Sequence, residues 1–196
     1  MARKHAVLSA SSAARWIACP PSARLNAEQS DTPSEYAAQG TDAHTLCEYK
    51  LRKALGERVR DPTKKLFSYD SEMEECAEFY VQFVMGLVSQ FREESKDTMV
   101  SVEQRVDFSD FVPDGFGTAD TLIISGKTVC IVDYKHGKGI EVSADHNPQM
   151  MCYALGCIQM FDGLYDIESI WMIIFQPRLS NISEYTISKV DLLTWA

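Results

Sequence analysis

Thr128-Val-Cys-Ile-Val-Asp-Tyr-Lys135 is the stretch whose reading decides the fold. It reads as an apolar strand that ends with an acid and a lysine two positions apart. Side chains alternate across a strand, so Asp133 and Lys135 share one face and Tyr134 takes the other. Burying an aspartate and a lysine at the end of a Val/Ile strand is costly unless they pair or bind an ion. Shortly before it, Gly115-Phe-Gly-Thr-Ala-Asp120 reads as a glycine turn entering a strand that carries a second carboxylate. Two carboxylates and a lysine around a divalent cation are the parts needed to hydrolyse a phosphodiester.

Outward from this strand, the pattern alternates between helix and sheet. Strands are expected over 118–124 and 128–135, joined as a hairpin around Ser125-Gly126-Lys127. A strand over 99–108 sets Val100, Val102, Gln104 and Val106 against Met99, Ser101, Glu103 and Arg105. Asn147-Pro148 opens a helix to about Met160, with proline in its first turn and Gln149 and Tyr153 four apart on one face. Further strands are expected over 169–176 and 183–187. On the N-terminal side, Asp70 or Ser71 opens a long helix to about Glu94, its apolar side running Met73, Cys76, Phe79, Tyr80, Phe83, Val84 and Leu87. Another helix is expected over 41–55, capped by Thr41 and stopped by Gly56, with His44, Glu48, Leu51 and Leu55 in one stripe. Earlier still, Ser9 or Ser11 caps a short helix through Trp16, halted at Cys19-Pro20-Pro21; 22–27 forms another helical turn. The stretches 29–33 and 58–69 are polar and read as loops. The whole describes one α/β domain over 1–196: a central mixed sheet flanked by helices, with extra helices at the N-terminus. The chain stops inside an amphipathic segment, 190–196, which reads as a C-terminal truncation.

The net charge is −9, which argues against holding nucleic acid on a general basic surface. It leaves room for an enzyme whose acidic site is neutralised by metal. No apolar run reaches the roughly 20 residues of a membrane span, and no secretory signal follows the basic start, so the cytoplasm is expected. The six cysteines form no Cys-x-x-Cys pair, consistent with thiols in a reducing compartment.

In order and spacing, Gly40-Thr-Asp-Ala-His44, Gly117-Thr-Ala-Asp120, Asp133-Tyr-Lys135 and Gln149-Met-Met-Cys-Tyr153 resemble the PD-(D/E)xK nuclease superfamily. The resemblance is to its RecB-type, lambda-exonuclease-like branch, and within that to a phage-encoded group. It implies a metal-dependent DNA nuclease, expected to be an exonuclease in phage or prophage recombination or processing, using Mg²⁺ or Mn²⁺. It makes Asp120 and Asp133 metal-binding carboxylates, His44 a further ligand, and the backbone carbonyl of Tyr134 a fourth. Lys135 positions or deprotonates the attacking water or stabilises phosphate charge, and Gln149 and Tyr153 orient Lys135 or touch the substrate backbone. His136, Lys138 and Arg178 are candidate phosphate contacts. DNA is the implied partner, with a homo-oligomer or a phage recombination protein as further possibilities.

Plainer readings stand beside these. His44 also reads as a satisfied core histidine, Asp120 as a turn cap, Asp133–Lys135 as a structural ion pair and Tyr153 as packing. Glu48 is a neighbour of His44, and Glu103 reads best as part of a solvated face. Ser9-Ala-Ser and Cys19-Pro20 are similar to the opening of RecB-type domains with an iron–sulfur cluster. Cys152 and Cys157 stand in the wrong position to complete one, so a cluster needs cysteines from a further C-terminal segment; otherwise Cys19 is a small buried hydrophobe. The competing function is a catalytically weak DNA-binding or protein-interaction module on the same fold. A zinc hydrolase on His44-x-x-x-Glu48 lacks a second histidine at helical spacing.

Overall fold

The computed structural model describes residues 6–27 and 34–196, so the loop expected over 29–33 lies outside the described residues. Five strands form one sheet: β1 (Met99–Asp107), β2 (Phe116–Ser125), β3 (Thr128–Tyr134), β4 (Ser169–Gln176) and β5 (Asn181–Ser188). They lie in chain order; β3 and β4 are parallel and all other neighbours antiparallel. Gly126, at φ +56°, turns the β2–β3 hairpin at the position expected for it. A parallel pair needs a crossover, supplied by α5 (Pro148–Tyr165). The side-chain oxygen of Asn147 accepts from the N–H groups of Gln149 and Met150, and Pro148 opens the first turn.

Both faces of the sheet are covered, and that explains the unbroken apolar run of β3. Val129 and Ile131 enter one core with Met151, Ala154 and Leu155 of α5. Cys130, Val132 and Tyr134 enter the other, with Leu46 and Leu51 of α3 (Glu35–Ala54) and Met73, Tyr80 and Val84 of α4 (Ser71–Glu94). Short helices α1 (Ala13–Ala18), α2 (Pro21–Ala27) and α6 (Lys189–Trp195) complete the element order. Among the described residues, no helix is long and apolar enough to cross a membrane.

Several expectations need correction. α3 starts at Glu35, capped by Ser34, whose hydroxyl accepts from the Ala37 N–H at 3.2 Å. Thr41 is a mid-helix residue with its hydroxyl bonded back to the Ala37 carbonyl, so it caps nothing. Gly56, at φ +89°, does end that helix, and Asp70 does cap α4 through the Met73 N–H. Phe79 is exposed; the buried side of α4 instead extends through Ala77, Val88 and Phe91. Neither Ser9 nor Ser11 caps α1, which is entered through a 3₁₀ turn, Ala10–Ser12.

The alternation expected along 99–108 breaks at Glu103, which has φ +52° within the strand. Val102 joins the α3–α4 core, whereas Val106 joins the α5 core. The partner strand changes phase at the same level: Ile123 faces α3–α4, but Ala119 packs with α5. Pairing runs Val102↔Thr121, then Gln104↔Ala119, so Glu103 and Asp120 face one another across the break. A non-glycine residue in this backbone region costs on the order of 1–3 kcal/mol, and such strain concentrates at functional sites.

Candidate metal centre

Asp120 stands where β2 and β3 part company. Their pairing runs from Ser125↔Thr128 to Thr121↔Val132 and stops there. Beyond that point the Asp120 side chain takes over: its Oδ2 accepts the Tyr134 N–H at 2.7 Å. Its Oδ1 lies 3.1 Å from Nδ1 of His44, which α3 delivers edge-on to the Tyr134 ring. The kinked backbone of Glu103 adds a second carboxylate opposite Asp120. One ligand atom from each of His44, Glu103 and Asp120 falls within 4.8 Å of the others.

This arrangement perturbs its own titration. Burial pulls the His44 imidazolium down, but Asp120, assisted by Asp133, outweighs burial and the opposing Lys135, raising it to about 9. Burial, then Asp120, pushes the Glu103 carboxyl up to about 7, against the pull of His44. Hard carboxylate oxygens are ligands of the kind Mg²⁺ and Mn²⁺ take, and an added imidazole favours Mn²⁺ of the two.

Asp133 and Lys135 occupy the adjoining position at the end of β3. Lys135 Nζ lies 2.8 Å from Asp133 Oδ2 and donates to Gln149 Oε1 at 3.0 Å. Gln149 in turn donates to Asp133 Oδ1 at 2.8 Å and to the Tyr153 hydroxyl at 3.0 Å. Asp133 Oδ2 is buried, accepts no well-directed hydrogen bond among the described residues and lies 2.8 Å from the Lys135 ammonium. That oxygen keeps a lone pair for a cation. Burial lowers the lysine, yet Asp133 and Asp120 more than offset this, so Lys135 is held above its ordinary value and stays an ammonium. Burial pushes the Asp133 carboxyl up while Lys135 pulls it back, and the net is upward.

Not every expected residue joins the centre. The three mutually close ligand atoms come from His44, Asp120 and Glu103, with Asp133 beside them rather than among them. Tyr134 meets the centre through its N–H, which donates to Asp120, and through its ring against His44. Tyr153 is buried, and its hydroxyl accepts from the Gln149 amide at 3.0 Å. His136 is also buried, with Nδ1 2.8 Å from the Tyr134 hydroxyl. Burial and then Arg178 lower His136 to about 4, so the ring is neutral near pH 7. Arg178 is an internal tie, bonded to Glu72, Gln39 and the His136 carbonyl. Only Lys138 of that trio has a substantially exposed side chain, lying 2.7 Å from Glu72. Glu48 binds Arg52 at 2.9 Å, and Arg52 reaches the Val102 carbonyl beside Glu103. Cys19 is exposed, contrary to its reading as a buried hydrophobe, and the other five cysteines are buried. Those two groups cannot share a cluster without unfolding a core.

Glu103 is the residue whose importance the strand pattern hid. A regular alternating strand assigns it to solvent; the positive φ turns it inward, and that is a long-range property.

The chain belongs to the family described as "Protein of unknown function (DUF2800)", whose model matches residues 5–196. Among solved structures, it is similar to the one described as "Crystal structure of SSO0001" at 18% identity, over 80% of this chain and 84% of that one. The TM-score is 0.27.

Proposed function

We propose that this protein is a metal-dependent nuclease that hydrolyses phosphodiester bonds in DNA. The observation that carries the reading is the convergence of His44, Glu103 and Asp120 ligand atoms within 4.8 Å, beside the Asp133–Lys135 pair. His44, Glu103 and Asp120 would hold the cation, with Asp133 Oδ2 available to it. When bound, a divalent cation lowers the pKa of water and neutralises charge that develops on the phosphate. Lys135 acts as a positive charge against a phosphate oxygen or the attacking water, held 2.8 Å from Asp133 Oδ2. Gln149 keeps that ammonium and Asp133 in register, and Tyr153 holds Gln149. Exonuclease action, and a place in phage recombination or processing, rest on the resemblance to the RecB-type branch.

Linear and circular DNA, single- and double-stranded, incubated with Mg²⁺, Mn²⁺ or chelator, test the proposal. The expected result is metal-dependent cutting that Lys135→Ala lowers roughly 10²- to 10³-fold, the usual effect of removing one preorganised charge donor. Asp133→Ala should lose cutting as well while remaining folded. Binding of DNA by the wild type with no cutting in either metal would instead identify a binding module.

A further inference from the structure

Beside the carboxylates, a cleft of about 680 Å³ opens between the first turns of α3 and the loop that follows Lys135. His44 and Lys135 lie along it, so it is continuous with the metal centre. Tyr36 stands at its mouth with its side chain 87% exposed, and Lys138 lies on its wall. The cleft is also lined by Gly40, Gly137 and Gly139. A Cβ added at any of these three meets nothing within 4 Å, and none has a positive φ. Neither packing nor backbone conformation therefore requires glycine there. Each leaves open space in which a ligand can approach the backbone closely.

We infer that this cleft receives the unpaired end of a DNA strand, with a base stacked on Tyr36 and its phosphates passing Lys138 toward Lys135. The inference rests on the proposed nuclease reading and specifies its substrate. An exposed aromatic beside cations on a narrow path is the physical pattern of single-strand binding. A duplex hides its base faces, so it cannot offer one to Tyr36 along its length. The Lys138–Glu72 contact is half exposed and holds weakly, so a phosphate can displace the carboxylate at little cost. Arg178 remains fixed on Glu72, Gln39 and the His136 carbonyl, which keeps the cleft wall in place.

Fluorescence anisotropy in chelator, with a labelled thymidine 12-mer, the matching blunt duplex and a uridine 12-mer, tests this without cutting. The DNA single strand should bind most tightly. Tyr36→Ala should weaken it roughly 5- to 150-fold, corresponding to about 1–3 kcal/mol per stacked base, while Tyr36→Phe retains binding. Gly137→Val should weaken binding without loss of fold, because the free protein has room at Cβ. Unchanged affinity in both Tyr36→Ala and Gly137→Val, equal affinity for duplex, or tighter binding of the RNA would each overturn the inference. Adding Mg²⁺ to the same samples separates the two proposals. Tyr36-dependent binding without cutting removes the nuclease and leaves the cleft; cutting with Tyr36-independent binding does the reverse.

Discussion

Asp120 connects the fold to the chemistry, because one of its oxygens closes the sheet and the other faces an imidazole. Asp120→Asn keeps an oxygen for the Tyr134 N–H but removes the charge that raises His44. Burial, the largest influence on that ring, then acts with little opposition. NMR titration of the His44 ring should show its pKa fall from about 9 toward or below the ordinary 6.5; a value unmoved by the substitution would mean that Asp120 is not its partner. The same residue sets a stability trend in metal-free protein. A pKa of about 9 folded against 6.5 unfolded means the folded state holds this proton more tightly. The stability it contributes is complete below pH 6.5 and is lost as pH rises through 9. Glu103, raised from 4.5 to about 7, has the same sign at the lower end, and His136 is already neutral in both states above pH 7. Urea denaturation should therefore show stability falling between pH 7 and 9, and a flatter profile in His44→Gln. The spacing of Asp133 and Lys135 was legible from the chain because two residues on one strand settle it. The inward turn of Glu103 was not, since it depends on a φ imposed by the pairing across from it.

Among the elements, α5 does most to position the centre. It packs so closely on the sheet that a Cβ at Gly156 would lie 2.9 Å from Val106 Cβ and 3.2 Å from the Asp107 carbonyl oxygen. At Gly117 the added carbon would lie 2.7 Å from the Tyr153 ring. Both glycines let helix and strand approach, so Gly117→Ala or Gly156→Ala should destabilise by about 1–3 kcal/mol in urea denaturation, as overpacking does. Gly117→Ala should in addition lower metal-dependent cutting, because Tyr153 carries Gln149. Wild-type stability in both variants would mean that the helix sits farther from the sheet. The caps at Asp70 and Asn147 and the stop at Gly56 could be read directly, since each is a local side-chain or backbone device. The start of α3 escaped because Thr41 offers the same hydroxyl as Ser34, and residue type alone does not decide between them.

Over the whole molecule, the mixed five-strand sheet with helices on both faces was legible from the order of apolar runs and the need for a crossover into β4. Which outer residues were buried was harder to read. His136 is titratable by type yet buried, and Arg178 is a partly buried cation tied to Glu72. With −9 net charge, a site that meets a phosphate would need cations gathered locally, and Lys135, Lys138 and Arg178 all line the cleft. Cation binding has to displace the His44 and Glu103 protons, so the rise in melting temperature caused by Mn²⁺ should grow from pH 6 to pH 9. A rise independent of pH would place the ion away from these groups. The most direct measurement is anomalous diffraction from crystals soaked in Mn²⁺. The expected result is a peak bounded by His44, Glu103 and Asp120, within reach of Asp133; a peak elsewhere, or none while the crystals hold Mn²⁺ in solution at saturating concentration, would contradict the centre itself.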